Sequence, residues 1–453
     1  MAFDKELIGH ATELALINFE VSGRPTPIGI VHALARVKSA MASANSRFPD
    51  LTGIDDELAA AIITSATEVA DGRWDDQFRI DVFQTGSGTS SNMNVNEVVA
   101  ALASRRLSGR TVHPNDHVNA SQSTNDVFPT AIRIAAMTEV RDVLLPGLTA
   151  LRDSLAGRSV AFASVVKAGR THWMDASPIT LGQEFGGYRA QITEAIERID
   201  QTCARVAAIP LGGTATGNGL NAPIGVADLA IEELVQTTAL PLHAAPDRFA
   251  SQASPDALVE LSGQLRGTAV AMFKIANDIR LLASGPRTGL AEIHLPELQP
   301  GSSIMPGKVN PVLCEVVTQV AAQVIGNDAA IAFAGSQGTL EMNTYLPVIA
   351  ANLLDSISLL GRSAADFSAR CVDGIEADVA RCRAFAELTP AVATALNLVI
   401  GYDAATRIAE QAVAEGRSVR AVLEDSGLVD TGRIDAILDL DTMAAGSTKP
   451  SAD

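Results

Sequence analysis

The clearest signal in the chain is the spacing of its apolar residues. Between Ile179 and Ala208 they fall at Phe185, Tyr188, Ile192, Ile196, Ile199, Cys203 and Val206, always three or four apart, which draws one stripe along an α-helix. At 1.5 Å per residue this predicts a helix of roughly 45 Å. A second stretch opens at Ser254-Pro255-Asp256, which supplies an N-cap, a first-turn proline and an acidic residue for the positive helix end. It carries Leu258, Leu261, Leu265, Met272, Ile275, Ile279 and Leu282 before Gly285-Pro286 stops it. A third begins near Pro311 and sets Leu313, Val317, Val320 and Val324 on one face, with alanines beside them that let helices approach closely. From about Val127 onward strand patterns are nearly absent, so the fold is expected to be mainly α. Apolar faces of this length exceed what one thin bundle hides, and they predict oligomerisation through a shared helical core.

The pattern changes along the chain. Residues 1–122 mix shorter helices with a loop-rich polar end and read as an N-terminal domain, 123–379 as a central helical bundle, and 380–453, with Thr389-Pro390 and Gly401-Tyr402, as a small C-terminal domain. The terminal GSTKPSAD reads as disordered. Apolar residues make up 47% and aromatics only 4%, so small aliphatic side chains must fill the core. Lys plus Arg is 34 against 52 Asp plus Glu, a net charge of −18, which excludes broad binding to nucleic acid or an anionic membrane. Cys203, Cys314, Cys371 and Cys382 lie far apart with no C-x-x-C pair, as expected of thiols in a reducing compartment rather than a disulfide framework or a zinc site. MAFDKELIGH lacks the basic or apolar run of a leader, and no uninterrupted apolar run approaches the ~18 residues of a membrane span. A soluble cytoplasmic protein with no membrane partner is expected.

Four stretches interrupt the helical pattern with Ser, Thr, Asn and Gly: QTGSGTSSNMN (84–94), HPNDHVNASQSTND (113–126), GRTH (169–172) and GSSIMPGKVN (301–310). At helix mouths such residues present N–H and hydroxyl donors that suit a carboxylate. Each is also a plausible capped helix start or turn. The seven histidines show no metal-ligand spacing; His113 and His117 are four apart, but Pro114 spoils a helical pair. No glycine-rich nucleotide motif follows a strand, so neither a metal nor another cofactor is expected. GTATGNGLN (213–221) reads as a loop lining or underlying a pocket.

GSSIMPGKVNP resembles the signature loop of the fumarase/aspartase superfamily, which includes argininosuccinate lyase, adenylosuccinate lyase and the δ-crystallins. QTGSGTSSNMN, HPNDHVN, SQSTND and GRTH, with DASPITLGQEF after it, are similar to class II fumarases in the same order, and the resemblance runs from about Asn18 to about Leu440. Aspartases typically carry Gln where this chain has His172, and Ala where it has Gly307. The resemblance implies a three-domain fold whose long-helix bundle forms a tetramer core, with three subunits building each site. It implies reversible hydration of fumarate to L-malate through an aci-carboxylate intermediate, in the tricarboxylic acid cycle and without a metal. By position, Ser302 matches the base, His172 the acid that handles the hydroxyl proton, and Glu315 its carboxylate partner. Substrate contacts match Ser87, Gly88, Thr89, Ser123, Thr124, Asn125, Thr171, Ser303, Lys308, Val309 and Asn310. A second anion site matches Arg110, His113, Pro114, Asn115 and Asp116, where a turn at a helix mouth with Asn115 or Asp116 as cap is equally expected from the residues alone. The rival expectations are an aspartate ammonia-lyase or related C-X lyase, and a noncatalytic δ-crystallin-like tetramer. The chain departs from class II fumarases in its segment ahead of Asn18-Phe19, at Ala120 and at Asn218.

Overall fold

The computed structural model describes residues 7–446, which form two compact units. The first takes residues up to 146 together with 195–270 and 320–362. Its N-terminal part contains α1 (His10–Asn18), α2 (Ile28–Asn45), α3 (Thr89–Arg106) and α4 (Thr124–Glu139). Helix α2 packs against α4 and against the helices Asp56–Ala70 and Val226–Thr238. It buries Ile30, Leu34, Val37 and Met41, while Ala33, Ala40 and Ala44 allow close approach. Because α1 begins with unpaired backbone N–H groups, the Glu97 carboxylate on α3 serves as its cap, accepting from the amides of Gly9, Ala11 and Thr12 at 3.0, 3.0 and 3.1 Å. This is the segment in which the chain departs from the class II pattern.

The second unit takes 147–194, 271–319 and the residues from 363 on. It holds the antiparallel hairpin β1 (Val166–Thr171) and β2 (Met174–Thr180), in register from Val166↔Thr180 to Thr171↔Met174. This pair lies within the region read as nearly free of strands; Val166-Lys167-Ala168 is too short a run to announce itself. The remaining described strands are two-residue segments.

The predicted long helices appear as α5 (Leu181–Val206), α6 (Asp256–Leu282) and α7 (Val312–Gly335), and a fourth, α8 (Leu346–Arg370), follows the same rule with Ile349, Leu353, Ile357, Leu360 and Phe367 buried. All seven apolar residues named on α6 are buried. Pro255 stands just outside it, and the Ser254 hydroxyl donates to the Asp256 carboxylate at 2.6 Å. On α7 the stripe turns from Val320 to the buried Ala321. In the first unit, Asp328 of α7 accepts from Ser262 (2.7 Å) and Arg266 (2.8 Å) on α6, and Asn327 donates to Ser356 (3.0 Å) on α8.

Helix α7 has the length and hydropathy of a membrane span, although no apolar run in it is unbroken. Buried Asn327 and Asp328, hydrogen-bonded to neighbouring helices, fit packing against protein instead. In the second unit, helices Val379–Leu388, Tyr402–Glu415, Val419–Ser426 and Thr431–Ile437 close over Leu396, Ile408, Val422, Leu423 and Ile434, with Val166 from β1. The tail read as disordered lies outside the described residues from 447 on.

Candidate active site

In the first unit, two helix mouths carry the hydroxyl groups singled out from sequence. Gly88 caps α3 at φ 84°, and a Cβ there would lie 2.4 Å from the Phe128 ring, so only glycine fits. On either side of it the Ser87 and Thr89 hydroxyls are 2.7 Å apart. Ser123 caps α4 in a reciprocal box: its hydroxyl accepts from the Asn125 amide at 3.2 Å, and Asp126 accepts from the Ser123 amide at 2.9 Å. The two mouths are joined by Asn92, one turn into α3, which donates to the Thr124 hydroxyl at 3.0 Å. Helix N-termini with unpaired N–H groups and hydroxyls make anion sites without formal charge. The loop read as underlying a pocket lies against α4: Asn125 donates to the Ala215 carbonyl (2.8 Å), and Asp126 accepts from the Gly212 (2.9 Å) and Thr214 (3.1 Å) amides.

Sequence reasoning missed the polar layer behind these mouths. Lys38 is fully buried and donates to Asn119 Oδ1 at 2.8 Å and Gln122 Oε1 at 2.9 Å. Burial lowers its ammonium from 10.5 to about 7, against an opposing pull from Asp126. Burial pushes the Asp126 carboxyl up, opposed by its backbone donors and by Lys38. The signal was present: Leu34, Lys38, Met41 and Asn45 follow one another at helical spacing, which puts a lysine on an apolar stripe.

The segment read as a second anion site forms a short helical turn, Pro114–Val118. Its cap is the His113 ring, which accepts from the Asp116 amide at 3.0 Å, and not Asn115 or Asp116. The His113 Nδ1 stands as many bonds from its backbone as an Asn or Asp side-chain oxygen and so reaches the amide three residues on, while Pro114 holds His113 extended. Asn115 is exposed. Arg110 pairs with Asp55 at 2.6 Å, and that carboxyl is held low first by the Leu58 amide and then by Arg110. His117 is lowered by burial and by Arg110, and His113, Asp116 and Asp55 act on it as well. The structure thus gathers this cluster, with Arg110 already engaged.

In the second unit, GRTH runs off the end of β1, and His172-Trp173 form a two-residue turn with φ of 56° and 67°. Such turns favour Asn or Gly, and two other residues in the left-handed region mark stored strain of about 1 kcal/mol each or more. Thr171 and His172 are exposed, and Trp173 is 81% exposed. Behind the hairpin is a charge network that sequence reasoning also missed. Lys167 reaches Glu184 (2.7 Å) and Glu292 (3.1 Å), and Arg170 grips Glu292 with two bonds of 3.0 and 2.9 Å. Glu292 has no exposed surface. Glu184 lies 17 residues from Lys167 and Glu292 lies 122 from Arg170, so no local pattern announces the network.

The 301–310 loop closes on itself. A Cβ at Gly301 would lie 1.8 Å from the Lys308 carbonyl oxygen, and Asn310 donates to the Gly301 carbonyl at 2.7 Å. Ser302 Oγ accepts from the amides of Ile304 (3.2 Å) and Met305 (3.1 Å). Ser303, Lys308 and Val309 are exposed, as is Glu315 on the first turn of α7. Among the described residues no hydrogen bond or ion pair joins His172, Ser302, Lys308 and Glu315 to one another. The matched residues thus fall in two groups, one in each unit.

Comparison with known proteins agrees with these motifs. Residues 4–326 match the lyase family model and 392–445 the fumarase C C-terminus model. The class II fumarate hydratase of Corynebacterium glutamicum is 51% identical over 420 residues, 92% of this chain and 88% of that protein. That of Mycobacterium tuberculosis is 52% identical over 419 residues, 92% of this chain and 87% of that protein. The crystal structure of class II fumarase from Schistosoma mansoni superposes with a TM-score of 0.94 at 36% identity, covering 97% of this chain and 96% of that one. With identity of this level over nearly its whole length and the mainly α fold of its relatives, the chain belongs to the class II fumarate hydratase family of lyases.

Proposed function

We propose that the protein is a hydro-lyase that interconverts fumarate and L-malate, as a cytoplasmic homotetramer serving the tricarboxylic acid cycle. The observation that carries this is the conjunction of an exposed histidine held in a left-handed turn with a serine whose Oγ is aimed at two amides, in a chain half identical to fumarate hydratases. Removing a proton beside a carboxylate is difficult, so donors must receive the charge that develops on the carboxylate oxygens. Ser302 takes the C–H proton; the amides of Ile304 and Met305 and the charge of Lys308 favour its oxyanion. Ser303, Lys308, the Val309 amide, Asn310 and Thr171, with Ser87, Gly88, Thr89, Ser123, Thr124 and Asn125, hold the two carboxylates. His172, supported by Glu315, delivers or removes the hydroxyl proton through water. Arg110, His113, Pro114, Asn115 and Asp116 form an accessory anion site.

Support for the assembly comes from α7, whose most apolar 18 residues have a mean hydropathy of 1.2 but are only 33% buried in one chain. The three regions 1–122, 123–379 and 380–453 are proposed as its domains. An ammonia-lyase has less need of an acid at His172, and a structural tetramer has none of the whole set. The test is fumarate absorbance after adding L-malate and, separately, L-aspartate. Turnover is expected only with malate, falling ~10²–10⁴-fold in Ser302→Ala and His172→Asn with the tetramer intact. Wild-type rates in both variants would discard the residue roles, and turnover of aspartate would discard the substrate.

A further inference from the structure

Behind the mouths of α3 and α4 is a cluster whose members come from three separate segments of the chain, around 38, 92–96 and 119–124. The Lys38 Nζ bonds to Asn119 and Gln122, in the segment that leads directly into Ser123–Asn125. Asn119 Oδ1 also lies 3.3 Å from the amide nitrogens of Asn92 and Asn96 on α3, and Asn92 in turn holds Thr124. Gln122 is locked by its own bonds to the Val118 and Ala120 carbonyls, at 3.0 and 3.1 Å. Thus each side chain that touches Lys38 is also fixed to the turn or to the helix beside it. The Asn92 and Asn96 Oδ1 atoms are buried without a partner among the described residues.

We propose that Lys38 is the positioning residue of the Ser123–Asn125 turn, and that the charge it carries behind that turn sets how tightly the turn holds a dicarboxylate. The geometry suits both of its protonation states. A neutral amine has two N–H bonds, enough for Asn119 and Gln122, so losing the third proton removes charge while leaving the turn in place. Burial brings that change to about pH 7. Asp126 on α4 is the ionisable group that acts on Lys38; the polar atoms bonded to it from 119–122, and those of α3 that reach the same Asn119, are amides. Lys38, Asn92, Asn96, Thr124 and Asp126 are buried, and among buried groups a unit charge is felt over several ångströms.

The inference rests on reading Ser123–Asn125 as a carboxylate-binding turn, so its test uses binding rather than turnover. Succinate, a dicarboxylate that does not react, is titrated calorimetrically into the assembled protein between pH 6 and 9. The wild-type dissociation constant is expected to rise about tenfold in all between pH 6 and 9, most steeply between 7 and 8. Lys38→Met is expected to bind about tenfold more weakly than wild type at pH 6 and to show no such rise. Lys38→Arg, whose charge persists, should restore tight binding at pH 8.5. If Lys38→Met does not assemble, Lys38→Gln takes its place with the same two outcomes. Wild-type affinity and an unchanged pH profile in the variant, or no succinate binding by the wild type, would overturn the proposal. An absence of malate turnover alongside a Lys38-dependent profile would overturn the assigned reaction and leave this inference standing.

Discussion

Lys38 and Asp126 each stand on a helix where an apolar residue would pack more simply, and burial drives both toward their neutral forms. For Lys38 this has a consequence for stability. Its ammonium titrates at about 7 when folded and near 10.5 when unfolded. Below about pH 7 both states hold the proton, and the folded chain bears the full cost of a buried charge. Between about 7 and 10.5 the unfolded chain binds more proton, so this residue makes stability rise with pH. From pH 7 to 9 the rise is about 2 kcal/mol per protomer, less than two full units at ~1.4 kcal/mol each because the folded amine is already half neutral at pH 7. Urea midpoints of wild type and Lys38→Met are expected to converge as pH increases, and parallel curves would contradict the assignment. At this scale the sequence was informative where chemistry is local: Gly88, Ser123 and Ser302 occupy the caps and turns that their residue types imply. It was silent on the left-handed conformation of His172, because Thr-His-Trp-Met contains no Gly or Asn to signal a two-residue turn.

Single elements show the same division. The stripe on α6 was fully legible, since the 3.6-residue period depends only on which residues follow one another. The β1–β2 hairpin was not, because its strands are short and their partner is decided by Gly169 and the bend beside it. What holds that hairpin is Glu292, buried between Lys167 and Arg170. Glu292→Gln removes one carboxylate and leaves Arg170 without its partner, so a loss of ~3–5 kcal/mol is expected. Chemical denaturation followed by circular dichroism checks this. A change below 1 kcal/mol would mean that the network is solvated and contributes little. Because His172 rides on the same hairpin, malate turnover is expected to fall in the variant even at temperatures where it remains folded.

For the whole molecule, the governing fact is that α7, an apolar helix of 24 residues, leaves Val316, Ile325 and Phe333 exposed in a single chain. Ile325, 43% exposed on α7, is a direct probe of what covers it. On the proposed assembly, Ile325→Glu is expected to lower the mass measured by light scattering below that of the wild type, and to abolish malate turnover with it. An unchanged mass would place the subunit contact elsewhere. By itself the sequence determined the period of the long helices and the order of the four polar stretches, because each of these is written in residues a few positions apart. Only the tertiary structure decided that a lysine lies buried behind the Ser123–Asn125 turn and that Glu292 ties two cations of β1. Burial and charge pairing depend on segments tens to hundreds of residues apart, and no local spacing encodes which of them will meet.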